Sequence, residues 1–310
     1  MSIKKGILNL PDDPERTALL SAAEWETKDA RVLHEWPLSR VEETAAAVRQ
    51  RGSEGDARLI RCVVKSQAAE ASAECAFYRR YGGYRFAEDG FFIPEALGIG
   101  SSPEVMPGTV PTDWLILPML EGETEDWSSL TDAEIRARVR HVNAMFQIRD
   151  FEDAPVFTDW RTHGRFAEAL EEDLPVFTEG GLTDAETEAA RERIRGELRS
   201  CWEAPVGFLH GDLKGENLMR TDPADMPEHQ AAGRIAVLDW QRPMRAPLPL
   251  EEELSLLLSD RGGSGEGGET AFRALACFSL AHWYALAFRR WIPYPFVGGM
   301  AAKYVRMGLE

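Results

Sequence analysis

The sequence predicts an α+β protein of two lobes, a sheet-and-helix lobe over residues 1–120 and a mainly helical lobe over residues 121–310. The first observation behind this prediction is the length of 310 residues, which at roughly 150 residues per domain allows about two domains. The second is that β-branched, alternating segments are concentrated near the start. The third is that helix start signals and helical spacing of apolar residues dominate after residue 130.

Two strand-like segments and one helix account for the first third of the chain. Residues 31–36 and 58–65 are rich in apolar and β-branched side chains, and a loop with Gly52 and Gly55 separates them. We expect them to be strands of an antiparallel sheet. Residues 68–81 are rich in Ala and Glu and contain no Gly or Pro, which predicts a helix that stops at the glycine pair that follows.

A change in composition marks the predicted lobe boundary. The apolar run 114–120 is followed by the acidic stretch 121–126, so we place the boundary near Glu121. Thr131 then opens a capping-box sequence, with a glutamate three residues later and apolar residues at helical spacing behind it. Thr183 repeats that start signal before a second helix that ends near residue 201.

Shorter elements complete the second lobe. A connecting segment lies at 207–212, and residues 235–238 predict a short buried strand. A final helix is predicted to carry the apolar and aromatic residues between Leu280 and Trp291 on one face. The glycine-rich stretch 262–268 has no strand before it, which indicates a flexible loop rather than a phosphate cradle.

Charge and hydropathy narrow the functional class. The chain has 35 Lys and Arg against 52 Asp and Glu, a net charge of −17, which argues against nucleic acid or an anionic membrane as a partner. The start of the chain lacks the apolar core of a secretory signal. The aromatic run 283–288 is far shorter than the roughly 20 residues that cross a bilayer.

Four widely spaced cysteines form no C-x-x-C pair and no disulfide framework. We expect them to be buried small apolar residues. This use of cysteine is typical of a reducing compartment, so the expected location is the cytoplasm. The four are Cys62, Cys75, Cys201 and Cys277.

One segment of the second lobe predicts phosphoryl-transfer chemistry. His210 is followed two residues later by Asp212 and five residues further by Asn217, with apolar residues on both sides. Transfer of a phosphoryl group to a hydroxyl requires a carboxylate that takes the hydroxyl proton and oxygen ligands for a metal ion on the phosphates. Asp239, at the exit of the predicted strand 235–238, supplies a second carboxylate. Such oxygen ligands suit Mg²⁺.

These motifs resemble those of a known enzyme family. The sequence His-Gly-Asp-Leu-Lys-Gly-Glu-Asn at 210–217, followed by Leu-Asp-Trp-Gln at 238–241, resembles the aminoglycoside phosphotransferase-like family, the small-molecule branch of the protein-kinase-like superfamily. The resemblance implies a bilobal protein-kinase-like fold, with a nucleotide-binding N-lobe at 1–120 and a catalytic, acceptor-binding C-lobe at 121–310. It implies that Asp212 is the catalytic base, that Asn217 and Asp239 are metal ligands, and that Lys214 reaches the transferred phosphate.

The resemblance also predicts a nucleotide site in the first lobe. It calls for a lysine at the end of an apolar strand and a glutamate on the next helix, and Lys65 and Glu74 meet both conditions. Lys65 is then expected to contact the α- and β-phosphates of ATP, with Glu74 fixing its position and Glu70 as the rival partner. Residues 118–120 would form the hinge whose backbone reads the adenine.

Two features depart from the family pattern. No G-x-G-x-x-G lies between residues 37 and 58, where only Gly52 and Gly55 are found, so either another loop covers the phosphates or nucleotide binding is weaker than usual. The acidic segment after Asp239 has shifted to Glu-Glu-Glu at 251–253, and Glu253 is the residue expected to hydrogen-bond the backbone of the catalytic loop.

Several conspicuous residues have ordinary structural explanations. His210 is expected to be a hydrogen-bonded structural residue, and Trp283 and Trp291 are expected to belong to the core. The acidic patches at 121–126, 171–173 and 251–253 are expected to be solvated faces.

The combined prediction is a Mg²⁺-dependent enzyme that transfers phosphate from ATP to a hydroxyl of a small molecule. An antibiotic-modifying kinase is the first alternative, because amino sugars are cationic and the chain is acidic. A nucleotide-binding pseudokinase is the second, although the base and both metal ligands are present. A protein kinase is disfavoured by the short segment after Asp239. The net charge favours a neutral or cationic acceptor, and no oligomeric state is predicted.

Overall fold

A computed structural model of the chain describes residues 31–36, 38–48, 58–86, 90–102, 111–221, 235–259 and 270–310. These residues belong to two compact units. The first comprises Met1–Thr124 and Leu218–Asp239, and the second comprises Glu125–Asn217 and Trp240–Glu310. The segment Leu218–Asp239 therefore belongs to the first unit. The predicted division near residue 121 places it in the second lobe.

The first unit is built on a five-stranded sheet with strand order β1-β2-β3-β6-β5, all antiparallel pairs. One helix, α1, follows β3. These elements have the bounds β1 Arg31–Trp36, β2 Ser39–Val48, β3 Arg58–Ala68, α1 Glu74–Tyr81, β5 Gly98–Ser102 and β6 Thr112–Pro118. The predicted antiparallel sheet with one helix is thus present.

Strand β2 was not predicted. Only a loop is predicted between residues 36 and 58, and Ser39–Val48 is rich in Ala and Glu, which are depleted in strands. It becomes a strand because every one of its residues pairs with β3, from Ser39 opposite Gln67 to Val48 opposite Arg58. Tertiary pairing thus overrides local propensity here. Gly52 and Gly55 lie outside the described residues.

The helix predicted over residues 68–81 begins later, at Glu74. Strand β3 continues to Ala68, where Gln67 and Ala68 still pair with β6, and a single 3₁₀ turn at Ala69–Ala71 follows. The sheet's hydrogen bonds therefore take the residues that Ala-rich composition assigned to the helix. The correction matters for function, because it makes Glu74 the first residue of α1.

A second, four-stranded sheet of the first unit has the order β4-β11-β10-β7. Its strands are β4 Phe91–Phe92, β7 Gly122–Thr124, β10 Leu218–Thr221 and β11 Ile235–Val237. Strand β11 confirms the short buried strand expected at 235–238, since all three of its residues are buried. Asp239 follows it by two residues.

The second unit is mainly helical, as predicted. Its helices are α2 Asp132–Phe146, α3 His163–Glu179, α4 Asp184–Arg195, α5 Glu197–Ser200, α6 Pro249–Leu258, α7 Thr270–Arg290 and α8 Pro295–Leu309. A three-stranded sheet of order β8-β12-β9 accompanies them, with β8 Thr158–Asp159, β9 Val206–Leu209 and β12 Met244–Pro247. Helix α8 was not predicted, although Pro295 at its first position is a helix-start signal.

Both predicted capping boxes are present. The Thr131 hydroxyl accepts from the Glu134 backbone N–H, and the Glu134 side chain accepts from the Thr131 N–H in return. Thr183 and Glu186 make the same reciprocal pair at the start of α4. The helix predicted to end near residue 201 is divided into α4 and α5 at Gly196.

Helix α7 is the central helix of the second unit's core. By length and apolar composition it is the one helix among the described residues that could cross a bilayer, but most of that stretch is buried inside the protein. It packs against α8, α6 and α3. The burial of its residues is that of a core helix in a folded domain.

Burial overturns part of the prediction for the acidic patches. The stretch 121–126 is largely exposed, as expected of a solvated face. Asp173, Glu251 and Glu253 are instead buried, each held by specific partners. The four cysteines are all buried and free, which confirms their expected role. The predicted loop at 262–268 lies outside the described residues.

Candidate active site

The predicted phosphate-binding pair is present in the first unit. Lys65 lies on the central part of β3, and its Nζ is 2.7 Å from Oε2 of Glu74. The same Nζ contacts Oδ1 of Asp239. Glu74 is thus the partner rather than Glu70, because the late start of α1 places Glu74 in its first turn. One cation joins the two carboxylates.

The charge on this cation is secured by its partners. Burial of the ammonium group opposes its charge, but the carboxylates of Asp239 and Glu74 outweigh burial and raise the pKa of Lys65. Lys65 is therefore a full cation at neutral pH. Burial, followed by the charges of Glu74 and Asp239, raises the pKa of Tyr78 on α1 well above its usual value, so that hydroxyl stays protonated.

Asp239 has an unusual backbone conformation. Its φ of 63° lies in the left-handed region, and it is the only residue other than glycine with a positive φ in the part of the chain that the structure describes. Such a conformation is uncommon for residues with a Cβ, although Asp tolerates it better than most, and it is often found at functional sites. This turn follows the buried strand β11. The Asp239 carboxylate there is partly exposed and contacts Lys65.

The loop after β9 carries the predicted base in the second unit. Gly211 has a φ of 80°, and a Cβ there would lie 1.9 Å from the carbonyl oxygen of Arg242, so only glycine fits. Asp212 follows it and is buried. Its Oδ2 lies 3.3 Å from an Arg242 guanidinium nitrogen. Its Oδ1 is buried and has no hydrogen-bond partner among the described residues.

Asn217 closes the same loop. Its Nδ2 donates a 2.7 Å hydrogen bond to the backbone carbonyl oxygen of Asp212, so the ends of the loop are tied together. That bond uses the amide nitrogen of Asn217 and not its amide oxygen. The loop contains a 3₁₀ turn, Gly215–Asn217, that positions the asparagine.

Glu251, not Glu253, accepts hydrogen bonds from the backbone of the loop that carries Asp212. The backbone N–H of Gly211 donates to both carboxylate oxygens of Glu251, at 3.1 and 3.0 Å, and the N–H of Leu213 donates to Oε1 at 3.2 Å. Glu253 instead accepts from Nε of Arg136 at 3.0 Å. The predicted role of Glu253 is therefore wrong, and it belongs to a neighbour two residues earlier on α6.

The environment of Glu251 opposes its charge. Complete burial raises the pKa of Glu251 to about 7, and the nearby charge of Asp212 acts in the same direction. The donated N–H groups of Gly211 and Leu213 act in the opposite direction but do not cancel the cost of burial. Near neutral pH the group that holds the catalytic loop is thus close to its own titration midpoint.

The remaining residues of the motif have distinct positions. His210 is fully buried, and its ring centroid lies 4.4 Å from that of Trp240, while its predicted role as a hydrogen-bonded structural residue stays a prediction. Lys214 is partly exposed, and its Nζ lies 3.2 Å from a carboxylate oxygen of Glu216. The structure therefore gives Lys214 a local partner, and its predicted contact with the transferred phosphate stays a prediction.

Sequence reasoning missed Arg242 as a partner of Asp212. It lies three residues after Asp239, so its nearness along the chain to a predicted site residue was the signal available. Its guanidinium also lies over the ring of Trp283, 5.3 Å from the centroid. Trp283 is only partly buried, so the prediction that it is a core residue is incomplete.

Asn217 and Asp239, one in each unit, are each of a residue type that can bind Mg²⁺ through oxygen. No group of three or more His, Cys, Asp or Glu side chains with metal-ligand geometry occurs within the described ranges. Mg²⁺ in nucleotide sites takes one or two protein oxygens and completes its shell with phosphates and water. The amide oxygen of Asn217 and the carboxylate of Asp239 are oxygen donors of that kind. The metal site itself stays a prediction.

Solved structures of similar fold are small-molecule kinases. The chain resembles a thermostable mutant of aminoglycoside phosphotransferase APH(4)-Ia in a ternary complex with ADP and hygromycin B, with a TM-score of 0.51, 16% identity, and coverage of 91% of this chain and 94% of that one. It also resembles Plasmodium vivax ethanolamine kinase, with a TM-score of 0.50, 12% identity, and coverage of 97% and 91%. At these identities the likeness establishes the fold, which is that of protein-kinase-like small-molecule kinases.

The family follows from the sequence itself. The profile of the phosphotransferase enzyme family matches residues 38–286, more than half of the chain, so the chain belongs to that family. The predicted fold class and the prediction of a small-molecule kinase are confirmed. No curated protein sequence matches the chain.

Proposed function

We propose that this phosphotransferase moves the γ-phosphoryl group of ATP to a hydroxyl of a small molecule, with Asp212 as the general base. The observation that carries the proposal is the carboxylate of Asp212. One of its oxygens is paired with Arg242, and the other is buried without a hydrogen-bond partner in the described part of the chain. A buried carboxylate oxygen left without a donor is costly. A substrate hydroxyl would supply the missing donor.

In the proposed step, Oδ1 of Asp212 accepts the proton of the acceptor hydroxyl. The acceptor oxygen bonds to the γ-phosphorus while the bond from that phosphorus to the β–γ bridging oxygen breaks, and the products are a phosphate ester and ADP. Proton acceptance by Asp212 keeps the acceptor oxygen from becoming positively charged. Asn217 contributes by holding the backbone carbonyl of Asp212, which fixes the loop.

Nucleotide binding is assigned to the first unit. Lys65 remains charged because its pKa is raised, and its ammonium group is proposed to contact the α- and β-phosphates. Glu74 is proposed to hold that group in place. At the predicted hinge, the Met119 N–H already donates to the carbonyl oxygen of Arg61 at 2.7 Å, and Pro118 has no N–H. Leu120 is therefore the hinge residue proposed to donate to the adenine.

Asn217 and Asp239 are proposed as the protein's ligands for Mg²⁺. Both offer hard oxygen donors, and neither position needs nitrogen or sulfur chemistry. When bound, Mg²⁺ neutralises the charge that develops on the transferred phosphate. Asp239 would exchange part of its contact with Lys65 for the metal.

The acceptor is proposed to be neutral or cationic. A phosphorylated or polycarboxylate acceptor would need basic groups to offset the chain's charge of −17. The arginines of the second unit best placed in sequence for that purpose are engaged. Arg242 pairs with Asp212, Arg245 donates to the carbonyl oxygens of Phe151 and Glu152, and Arg289 pairs with Asp173.

An antibiotic-modifying kinase is the second candidate. The structure of APH(4)-Ia with ADP and hygromycin B has the highest TM-score of the similar folds described above. Hygromycin B and related amino sugars also satisfy the charge preference proposed for the acceptor. Both candidates use the same proposed base, metal ligands and nucleotide site.

The test is an ADP-release screen with MgATP against amino alcohols, sugars, nucleosides and amino sugars. We expect turnover with at least one amine or neutral alcohol. Asp212→Asn protein, prepared in parallel, measures contaminating activity, and Asp184→Asn, an exposed carboxylate at the start of α4, is the matched control. ADP release that is equal in the wild type and Asp212→Asn for every acceptor would contradict the proposal and favour a pseudokinase.

A further inference from the structure

In the second unit, Arg242 links the proposed base to an aromatic wall, which consists of the rings of Phe157, Trp283 and Trp291. Arg242 lies 3.3 Å from Oδ2 of Asp212, and its guanidinium lies over the indole of Trp283. The Asp212–Arg242 ion pair is largely buried on both sides. The guanidinium is thus placed between the carboxylate of the base and the face of an aromatic ring.

Few other contacts orient this arginine. The Nε of Arg242 is buried and has no hydrogen-bond partner within the residues that the structure describes. A guanidinium normally donates from several nitrogens, and those bonds fix its plane. Here the orientation depends on the carboxylate of Asp212 and on the π face of Trp283.

The indole of Trp283 is itself fixed. Its ring packs edge-to-face on Phe157 at 5.5 Å between centroids, and it lies 6.2 Å from the ring of Trp291. The backbone N–H of Phe157 donates to the carbonyl oxygen of Pro243 at 2.8 Å, so the wall is tied to the residue that follows Arg242. This hydrogen bond joins the wall to the segment that carries the arginine.

We propose that Trp283 is a positioning residue for phosphoryl transfer. Its ring face fixes the Arg242 guanidinium, and Arg242 fixes Oδ2 of Asp212 so that Oδ1 faces the acceptor hydroxyl. The inference rests on the proposed role of Asp212 as the base. It assigns to Trp283 a role in turnover that does not require contact with the acceptor.

The proposal predicts that Trp283 and Arg242 act as one unit. Replacing Trp283 by Leu removes the π face, and the loss of one cation–π contact corresponds to roughly a tenfold fall in kcat. The KM values for ATP and for the acceptor are expected to stay nearly constant. Trp283→Phe keeps a π face and should retain most of the activity. Trp283→Met keeps bulk without a π face, so it repeats the test if the Leu variant does not fold.

A double-mutant cycle decides the question. In an Arg242→Ala background, adding Trp283→Leu or Trp283→Met should cause no further fall in kcat, because the group that Trp283 positions is gone. Trp202→Leu is the matched control, since Trp202 is a partly buried tryptophan of the same unit that packs on Phe166. It should leave kcat unchanged, and thermal unfolding of each variant checks that the comparison uses folded protein.

Two results would overturn the proposal. If the effects of the two substitutions multiply, Trp283 acts independently of Arg242. If Trp283→Leu raises the acceptor KM and keeps kcat, Trp283 contacts the acceptor directly. The Asp212→Asn variant in the same assay separates these results from a failure of the proposed function. If Asp212→Asn remains active, Asp212 is not the base, and the proposed positioning role of Trp283 fails with it.

Discussion

The two units contain carboxylates that are stabilised in different ways. In the first unit, Glu74 and Asp239 share the ammonium group of Lys65. In the second, Glu251 is held by the backbone N–H groups of Gly211 and Leu213 rather than by a cation of the loop. The first arrangement keeps Lys65 charged at neutral pH, because the two carboxylates raise its pKa. The second leaves a carboxylate whose pKa is raised to about 7.

The difference indicates where each unit is sensitive. A carboxylate paired with a cation loses its stability when the cation is removed. A fully buried carboxylate without a cation is disfavoured in its charged form, so its contribution to stability depends on its own protonation. Substitution should therefore affect the first unit most strongly, and pH should affect the second.

The largest expected effect is that of Lys65→Met. Removing the cation leaves Glu74 buried beside Asp239 without its neutralising charge, which should lower the free energy of unfolding by about 4 kcal/mol. Urea denaturation measures this, and exposed Lys303→Met is the control. Adding Glu74→Gln should recover part of the loss. No recovery in the double variant would show that the charge pairing is not what stabilises this cluster.

The next effect is a pH dependence carried by Glu251. Because its folded-state pKa of about 7 lies above an unfolded value of 4.5, the folded state holds the proton more tightly. Its contribution to stability is therefore complete below pH 4.5 and declines as pH rises to about 7. The total is about 3 kcal/mol.

The comparison of wild type with Glu251→Gln isolates this contribution. Unfolding free energies measured from pH 4.5 to 8 should decline more steeply in the wild type, and Glu168→Gln, at an exposed site on α3, should follow the wild type. Parallel curves for wild type and Glu251→Gln would mean that Glu251 does not titrate in this range.

Loss of either proposed metal ligand should have a smaller effect. Asn217→Ala and Asp239→Ala should each reduce the strengthening of ATP binding by Mg²⁺, by about tenfold. ATP titrations with and without Mg²⁺ measure it, and affinity in the absence of metal should change less. An unchanged magnesium effect in both variants would remove these residues from the metal site.

The smallest effect is expected for Glu253→Gln. Glu253 pairs with Arg136 and does not touch the catalytic loop, so the substitution should cost about 1 kcal/mol of stability. The kcat of the folded enzyme should stay at the wild-type value, whereas Glu251→Gln should lower it. A fall in kcat for Glu253→Gln as large as that for Glu251→Gln would restore the original prediction for this residue.

The pair Lys65 and Glu74 could be predicted because local pattern determines it. A lysine late in an apolar strand and a glutamate on the next helix are both visible in the sequence, and each lies in the element expected. Helix α1 nevertheless began six residues late, because pairing of β3 with β6 is a long-range contact that composition does not encode.

The choice between Glu251 and Glu253 could not be predicted. The apolar spacing of Leu250, Leu254 and Leu257 indicates which face of α6 is buried. It does not indicate which of the neighbouring glutamates meets the backbone of a loop 40 residues away in sequence. Strand β2 is a similar case, since its strand character comes from its partner.

The most direct test of the account is turnover by Asp212→Asn measured together with its affinity for MgATP. Loss of the general base should lower kcat by at least about 10²-fold, whereas the dissociation constant for MgATP should stay within about twofold, because the base touches the acceptor and not the nucleotide. A folded Asp212→Asn enzyme with near-normal kcat would contradict the proposed mechanism. So would a variant whose loss of turnover is fully explained by loss of nucleotide binding.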